Sequence, residues 1–334
     1  MRNSKIAGLG HYVPDQVVTN DDLTRYMDTS DEWIQERTGI KQRRYFELGK
    51  DTTANMGTRA ARMALNNAGM KPEDIDFIVF ATLSPDYDFP GSGVFVQEQL
   101  GIDTVAALDV RAQCSGFVYS LSVADQFIKT GMYDTVLVIG SEIHSSGLDM
   151  STRGRSVSVI FGDGAGAAVL QATDEKDKGV LSTHLHCEGK HADELCVKDV
   201  GSSRNIPRVT PEMVAKGEGI FPYMNGNYVF KHAVTRFAEV IQEALQANNC
   251  KPEDIDLLFP HQANLRISQF VQKKFNLRDD QVFNNIMNYG NTTAASIPLA
   301  MSEAWQLGKI KDGDLVCLAA FGSGFTWASA LIRW

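Results

Sequence analysis

The sequence predicts an α/β protein built from two copies of one unit. Strand-like and helix-like stretches alternate along it, and the apolar runs at residues 77–82, 135–140 and 315–320 suit a sheet covered on both faces. The hexapeptide Lys71-Pro72-Glu73-Asp74-Ile75-Asp76 recurs 180 residues later as Lys251-Pro252-Glu253-Asp254-Ile255-Asp256, each time after a helical pattern and before a strand. A helix opening at Asn291 stops at Gly308, 17 residues on, as the helix opening at Cys114 stops at Gly131, and a strand follows each. That match has an offset of 177 and predicts pseudo-equivalent helix starts at Cys114 and Asn291, in halves spanning residues 1–172 and 173–334.

The 334 residues, 43% hydrophobic and 22% charged, read as a soluble globular protein of two domains or one large α/β unit. A net charge of −9 argues against a nucleic-acid partner. The first apolar run is too short for a signal peptide and no stretch could span a membrane, so a cytoplasmic location without membrane attachment is expected. Five cysteines at irregular spacing do not form a disulfide framework.

In chain order, residues 6–10 read as a first strand. Thr29-Ser30-Asp31-Glu32 signals a helix start, and the helix that follows carries Trp33 and Arg37 on one face. An indole beside a guanidinium can sandwich a nucleobase and hold its phosphates, or can be a plain cation–π contact on a surface helix. Lys41, Arg43 and Arg44 make a small basic cluster nearby. A helix over residues 53–68 leads to the first hexapeptide and strand. The glycine run from Gly162 to Gly166 lacks dinucleotide-loop spacing and precedes a strand, so it reads as close strand packing. Residues 187–226 are loop-rich, as a lid or an interface arm would be. His184, His186, Cys187, His191 and Cys196 lack standard zinc spacing and read as strand-end and loop residues, with no metal expected.

Chemistry gathers at element ends. Cys114 follows the strand-like residues 105–110 and stands at a helix start, where free N–H groups and the helix dipole favour a thiolate and offer donors to a carbonyl under attack. An inert cysteine filling a strand–helix junction is the plainer alternative. His261 ends the strand after the second hexapeptide, Asn291 follows the turn glycine Gly290, and Phe321-Gly322-Ser323-Gly324-Phe325 can present bare N–H groups. Each alone is weak; together they point to a Cys/His/Asn site.

The stretch around Cys114, the His261–Arg266 and Gly290–Ser296 runs, Phe161-Gly162-Asp163-Gly164-Ala165-Gly166 and the closing 321–329 stretch resemble the β-ketoacyl-acyl-carrier-protein synthase III family, in order and over essentially the whole chain. The resemblance implies the thiolase fold, a duplicated five-layered α-β-α-β-α architecture, in a homodimer. It implies that Cys114 attacks an acyl-CoA thioester, with the N–H groups of Cys114 and Ser323 as oxyanion hole. Malonyl-acyl-carrier protein then loses CO2 while His261 and Asn291 stabilise the enolate, and the carbanion takes the acyl group. No metal or redox cofactor is implied.

The resemblance further implies CoA contacts at Trp33, Arg37, Arg155, Asn227 and Asn264, and a carrier-protein patch at Lys231, Arg266, Lys273 and Lys274. It implies an acyl pocket of Phe89, His144, Phe161 and Phe321, with Phe89 at the dimer gate. Ser323 stands where many relatives have glycine, and His144 where an apolar pocket residue is familiar. The 187–226 stretch is longer than in compact members. A short- to medium-chain primer, up to octanoyl, is expected, with initiation of fatty-acid synthesis as the role. A related condensing enzyme of secondary metabolism or head-to-head condensation, a papain-like hydrolase and a non-catalytic acyl-binding scaffold are the rival readings.

Overall fold

The computed structural model describes residues 2–334. Strand β1 (Asn3–Tyr12) is followed by helix α1 (Asp31–Thr38), which starts where Ser30 accepts the Trp33 N–H and stops at Gly39 in the left-handed conformation. Helix α2 (Thr53–Ala68) leads through the first hexapeptide to β2 (Phe77–Ala81) and then β3 (Ala106–Val110). Helix α3 (Gly116–Lys129), β4 (Thr135–Glu142) and β5 (Gly164–Thr173) complete a five-stranded sheet in the order β1-β5-β4-β2-β3.

The second half repeats this order. Strand β6 (Gly179–Cys187), helix α4 (Gly226–Ala247), β7 (Leu257–Pro260), helices α5 (Leu265–Lys274) and α6 (Ser296–Gln306), β8 (Leu315–Gly322) and β9 (Thr326–Arg333) give a sheet ordered β7-β8-β9-β6. A lone parallel bridge from Leu258 to Val282 stands where the first sheet has its edge strand β3. Both hexapeptides fold alike, with Asp74 and Asp254 accepting the N–H of Lys71 and Lys251.

Three apolar layers separate these sheets and their helices. Phe117, Val118 and Leu121 of α3 meet Ile297, Ala300 and Met301 of α6 between the sheets, packed on β2, β4, β5, β8 and β9. Helix α2 covers the outside of the first sheet, and α4 and α5 the outside of the second. This is the five-layered arrangement that the sequence resemblance implies. Close packing explains the glycine run: a Cβ at Gly166 would lie 2.6 Å from the Leu299 nitrogen on α6.

The structure corrects the expected equivalence of Cys114 and Asn291. Each central helix is preceded by a 3-10 turn, Gln113–Ser115 and Thr293–Ala295, whose first residue has φ of 45° and 48°. Turns, helix starts and following strands all repeat at an offset of 180, so the counterpart of Cys114 is Ala294. The offset of 177 belongs to the helix ends alone, because α6 is three residues shorter than α3. Arg43, read from the sequence as part of a small basic cluster, is a core residue. Its guanidinium is fully buried and donates to Asn20 Oδ1 and the carbonyls of Val18 and Val159.

Candidate active site

Cys114, His261 and Asn291 come from different elements and line one cavity of about 90 Å3, walled by Phe161, Phe321 and Gly322. Cys114 sits in the turn before α3 and His261 directly after β7. Asn291 is strapped to the first half, its N–H donating to the Ile160 carbonyl and its own carbonyl accepting from Gly162. All three are buried.

The helix start does not leave Cys114 as a ready thiolate, which is a second correction. Burial, aided by the nearby Glu142 carboxyl, pushes the thiol up to about 12; hydrogen bonds from the Ser323 N–H, its own N–H and the Thr293 hydroxyl oppose this and are outweighed. Those two N–H groups are the pair expected to form the oxyanion hole. Ser323 itself carries no left-handed strain: in its loop the positive φ falls on Gly324, at 132°. The Ser323 hydroxyl donates to the Leu195 carbonyl.

His261 is held neutral, burial bringing its pKa down to about 3 with a smaller push from His144. Its Nδ1 lies 2.7 Å from Ser296 Oγ, while Nε2 is buried without a hydrogen-bond partner among the described residues. Asn291 Oδ1 accepts the Thr293 N–H at 2.8 Å, which leaves its amide N–H groups for a ligand. Two neutral donors therefore line one cavity with the nucleophile, an arrangement that suits negative charge developing on an oxygen.

The expected binding residues divide. The guanidinium carbons of Arg37 and Arg155 lie 4.4 and 4.6 Å from the centre of the Trp33 ring. Asn264 lines the cavity but is engaged, capping α5 through the Arg266 N–H and donating to the Arg37 carbonyl. Asn227 is exposed at the first turn of α4. Lys231, Arg266, Lys273 and Lys274 are exposed on α4 and α5. Phe161 and Phe321 line the cavity. His144 lies behind Phe161, its ring 4.7 Å away, and bonds the Thr293 hydroxyl at 2.7 Å. Phe89 is 83% exposed and does not line its own chain's cavity. His184 and His186 share the Glu243 carboxylate, and among the described residues no group of three His, Cys, Asp or Glu could hold a metal ion.

Comparison with known proteins decides the family. The family model "3-Oxoacyl-[acyl-carrier-protein (ACP)] synthase III" matches residues 108–189, and that of the C-terminal part of the same synthase matches residues 245–334. The β-ketoacyl-[acyl-carrier-protein] synthase III of Rhodospirillum centenum is 49% identical over 334 residues, covering 99% of both chains. The chain belongs to the β-ketoacyl-acyl-carrier-protein synthase III family. The crystal structure of 3-oxoacyl-[acyl-carrier-protein] synthase III from Aquifex aeolicus superposes with a TM-score of 0.90 at 42% identity, covering 99% of this chain and 100% of that one. The corresponding Pseudomonas aeruginosa structure gives 0.89 at 36%, covering 100% and 98%. The fold is the thiolase fold, and the protein is a condensing enzyme of the acyltransferase type. Identity at this level to the synthases III does not favour the head-to-head alternative.

Sequence reasoning passed over Ser296, Thr293 and Glu142. The first two lie within the Asn291–Ser296 run, whose small polar residues were the available signal. Glu142 ends a strand that is buried throughout. There it accepts the N–H groups of Leu83 and Ser84 and the Thr82 hydroxyl, and burial raises its pKa to about 7.

Proposed function

We propose that the protein condenses an acyl-CoA primer with malonyl-acyl-carrier protein through an acyl-Cys114 intermediate, starting fatty-acid synthesis. The observation that carries this is the one cavity that Cys114, His261 and Asn291 all line, with His261 Nε2 unpartnered among the described residues and the Asn291 oxygen engaged so that its amide N–H groups are left for a ligand. Attack by the Cys114 sulfur on the thioester places the oxyanion at the Cys114 and Ser323 N–H groups and expels CoA. Loss of CO2 from the malonyl group leaves an enolate whose oxygen takes hydrogen bonds from His261 and Asn291, and its carbon attacks the acyl group. Every step uses thioester and side-chain chemistry alone, so no metal or redox cofactor is required.

Trp33 with Arg37 and Arg155 would take the nucleotide of CoA. The exposed cations of α4 and α5 would take the acidic carrier protein beside the cavity, which Phe230, Asn264 and Ile267 of those helices also line. A homodimer is supported by the edge strand β3, whose outer side has no strand partner among the described residues and where Leu108 is 40% exposed, and by exposed Phe89, which would gate the partner's acyl pocket. The small cavity suits a short- to medium-chain primer.

Intact mass spectrometry after incubation with acyl-CoAs from acetyl to dodecanoyl, with peptide mapping, tests the reading. A mass gain on Cys114, absent in a folded Cys114→Ser protein, is expected. His261→Ala and Asn291→Ala should still acylate and lose about 10²–10³-fold in malonyl decarboxylation. No adduct with any primer would overturn the proposal in favour of a scaffold, and release of free acid without malonyl donor would favour a hydrolase.

A further inference from the structure

The loop between β8 and β9, which carries Ser323, is fastened on two sides. On one side it is tied to the turn of Cys114. The Thr326 hydroxyl lies 3.2 Å from the Ser323 carbonyl, the Ser115 hydroxyl donates to the Thr326 carbonyl at 3.2 Å, and a Cβ at Gly322 would stand 2.5 Å from Cys114 Cβ. On the other side it is tied to the 187–226 arm. The Glu188 N–H donates to the Phe325 carbonyl at 2.8 Å, the Phe325 N–H donates to the Glu188 carbonyl at 3.1 Å, and the Phe325 ring stacks on His191. Further along the arm, Leu195-Cys196 pairs with Tyr223-Met224 as a short ribbon, and both Leu195 and Met224 line the catalytic cavity. The Ser323 hydroxyl donates to the Leu195 carbonyl, and among the described residues no other side chain outside the arm hydrogen bonds this ribbon. A wall of the cavity and the loop beside the nucleophile are therefore joined at one hydroxyl.

We propose that the Ser323 hydroxyl is a latch: by fastening the loop to the Leu195 carbonyl it holds the Ser323 N–H where the thioester oxyanion forms. The side chain is thus a positioning group for the donor on its own backbone. A hydroxyl has a single proton, and this one goes to Leu195, so the side chain is not itself a further donor to the oxyanion. Its contribution lies in direction. A backbone N–H stabilises developing charge fully only when it is aimed before the charge appears, and a loop free to drift gives up part of that. Loss of the hydroxyl leaves the loop held at Phe325 and Thr326, so the donor shifts without being lost. The effect is therefore smaller than that of removing a donor, and it falls on the step that forms an oxyanion.

The inference rests on the proposed acylation of Cys114, and the test separates the two. Single-turnover acylation, with the best primer of the acetyl-to-dodecanoyl series, is compared with iodoacetamide alkylation mapped to Cys114. Alkylation displaces iodide and forms no oxyanion, so it reads the nucleophile alone. Both are followed in the unsubstituted enzyme, Ser323→Ala and Ser323→Gly, with thermal melts to show folding. In both variants the limiting acylation rate should fall about tenfold, against roughly 10²–10³-fold for a donor removed outright. The half-saturating acyl-CoA concentration and the alkylation rate should stay as they are. Acylation at the unsubstituted rate in folded variants, a change confined to the half-saturating concentration, or equal slowing of alkylation would overturn the latch and leave the acyl-enzyme standing. An unsubstituted enzyme that no primer acylates would overturn the acyl-enzyme reading itself, and the latch with it.

Discussion

Ser296 Oγ lies 2.7 Å from His261 Nδ1 and 3.4 Å from the Gln262 N–H, at the first residue of the helix opposite the cysteine. Because the hydroxyl accepts from Gln262, its own proton is free to go to Nδ1. That leaves the His261 proton on Nε2, the atom without a partner among the described residues. A serine on the second half's central helix thus makes the histidine a donor in the cavity.

Ser296→Ala should therefore acylate normally and slow malonyl decarboxylation, by less than the roughly 10²–10³-fold expected for outright removal of a donor. Single-turnover assays of the two half-reactions check this; equal loss in both would show a packing defect.

Gly322→Ala should abolish acylation. A Cβ there would stand 2.5 Å from Cys114 Cβ and 2.9 Å from its sulfur, inside any tolerable contact. Overpacking should cost about 1–3 kcal/mol of stability as well, read by chemical denaturation.

Acid should destabilise the fold through its neutral histidines. His144 and His261 titrate near 3 when folded and near 6.5 when unfolded, so between those values the unfolded chain binds protons that the native chain refuses. Stability then falls as pH drops, by up to about 1.4 kcal/mol per pH unit for each ring. Glu142 works in the opposite sense between 4.5 and about 7, so the fall should be steepest below 4.5. Melting curves against pH should show this, with a shallower acid limb in His144→Leu.

Reversing charge on α5, as in Lys273→Glu with Lys274→Glu, should raise KM for the malonyl-carrier protein and leave acyl-CoA KM unchanged. Added salt should weaken carrier docking in the parent and much less in the variant.

Much of this was legible in the residues. The hexapeptide repeat exposed the duplication because short polar turns keep their sequence where they keep their hydrogen bonds, as the paired Asp74 and Asp254 contacts show. Cys114, His261 and Asn291 stood out because each marks an element end. The register of the halves was harder. Matching the stop glycines Gly131 and Gly308 sets Cys114 against Asn291 rather than Ala294, because no local pattern shows that α6 is three residues shorter than α3. The burial of Arg43 and the high thiol pKa of Cys114 depend on what the other half of the chain places around them, which no local pattern carries.

Gly140 of β4 and Gly322 at the end of β8 have a mechanical consequence. A Cβ at Gly322 would strike Cys114, while one at Gly140 would lie 2.3 Å from the Ala294 carbonyl oxygen. Each half's strand is thus seated against the other half's turn, in both directions. Two bodies keyed into one another this way cannot swing apart without unseating the nucleophile. The nucleophile is thus fixed at the joint between the halves, while residues 187–226, which bring Leu195 and Met224 to the cavity, lie outside that joint.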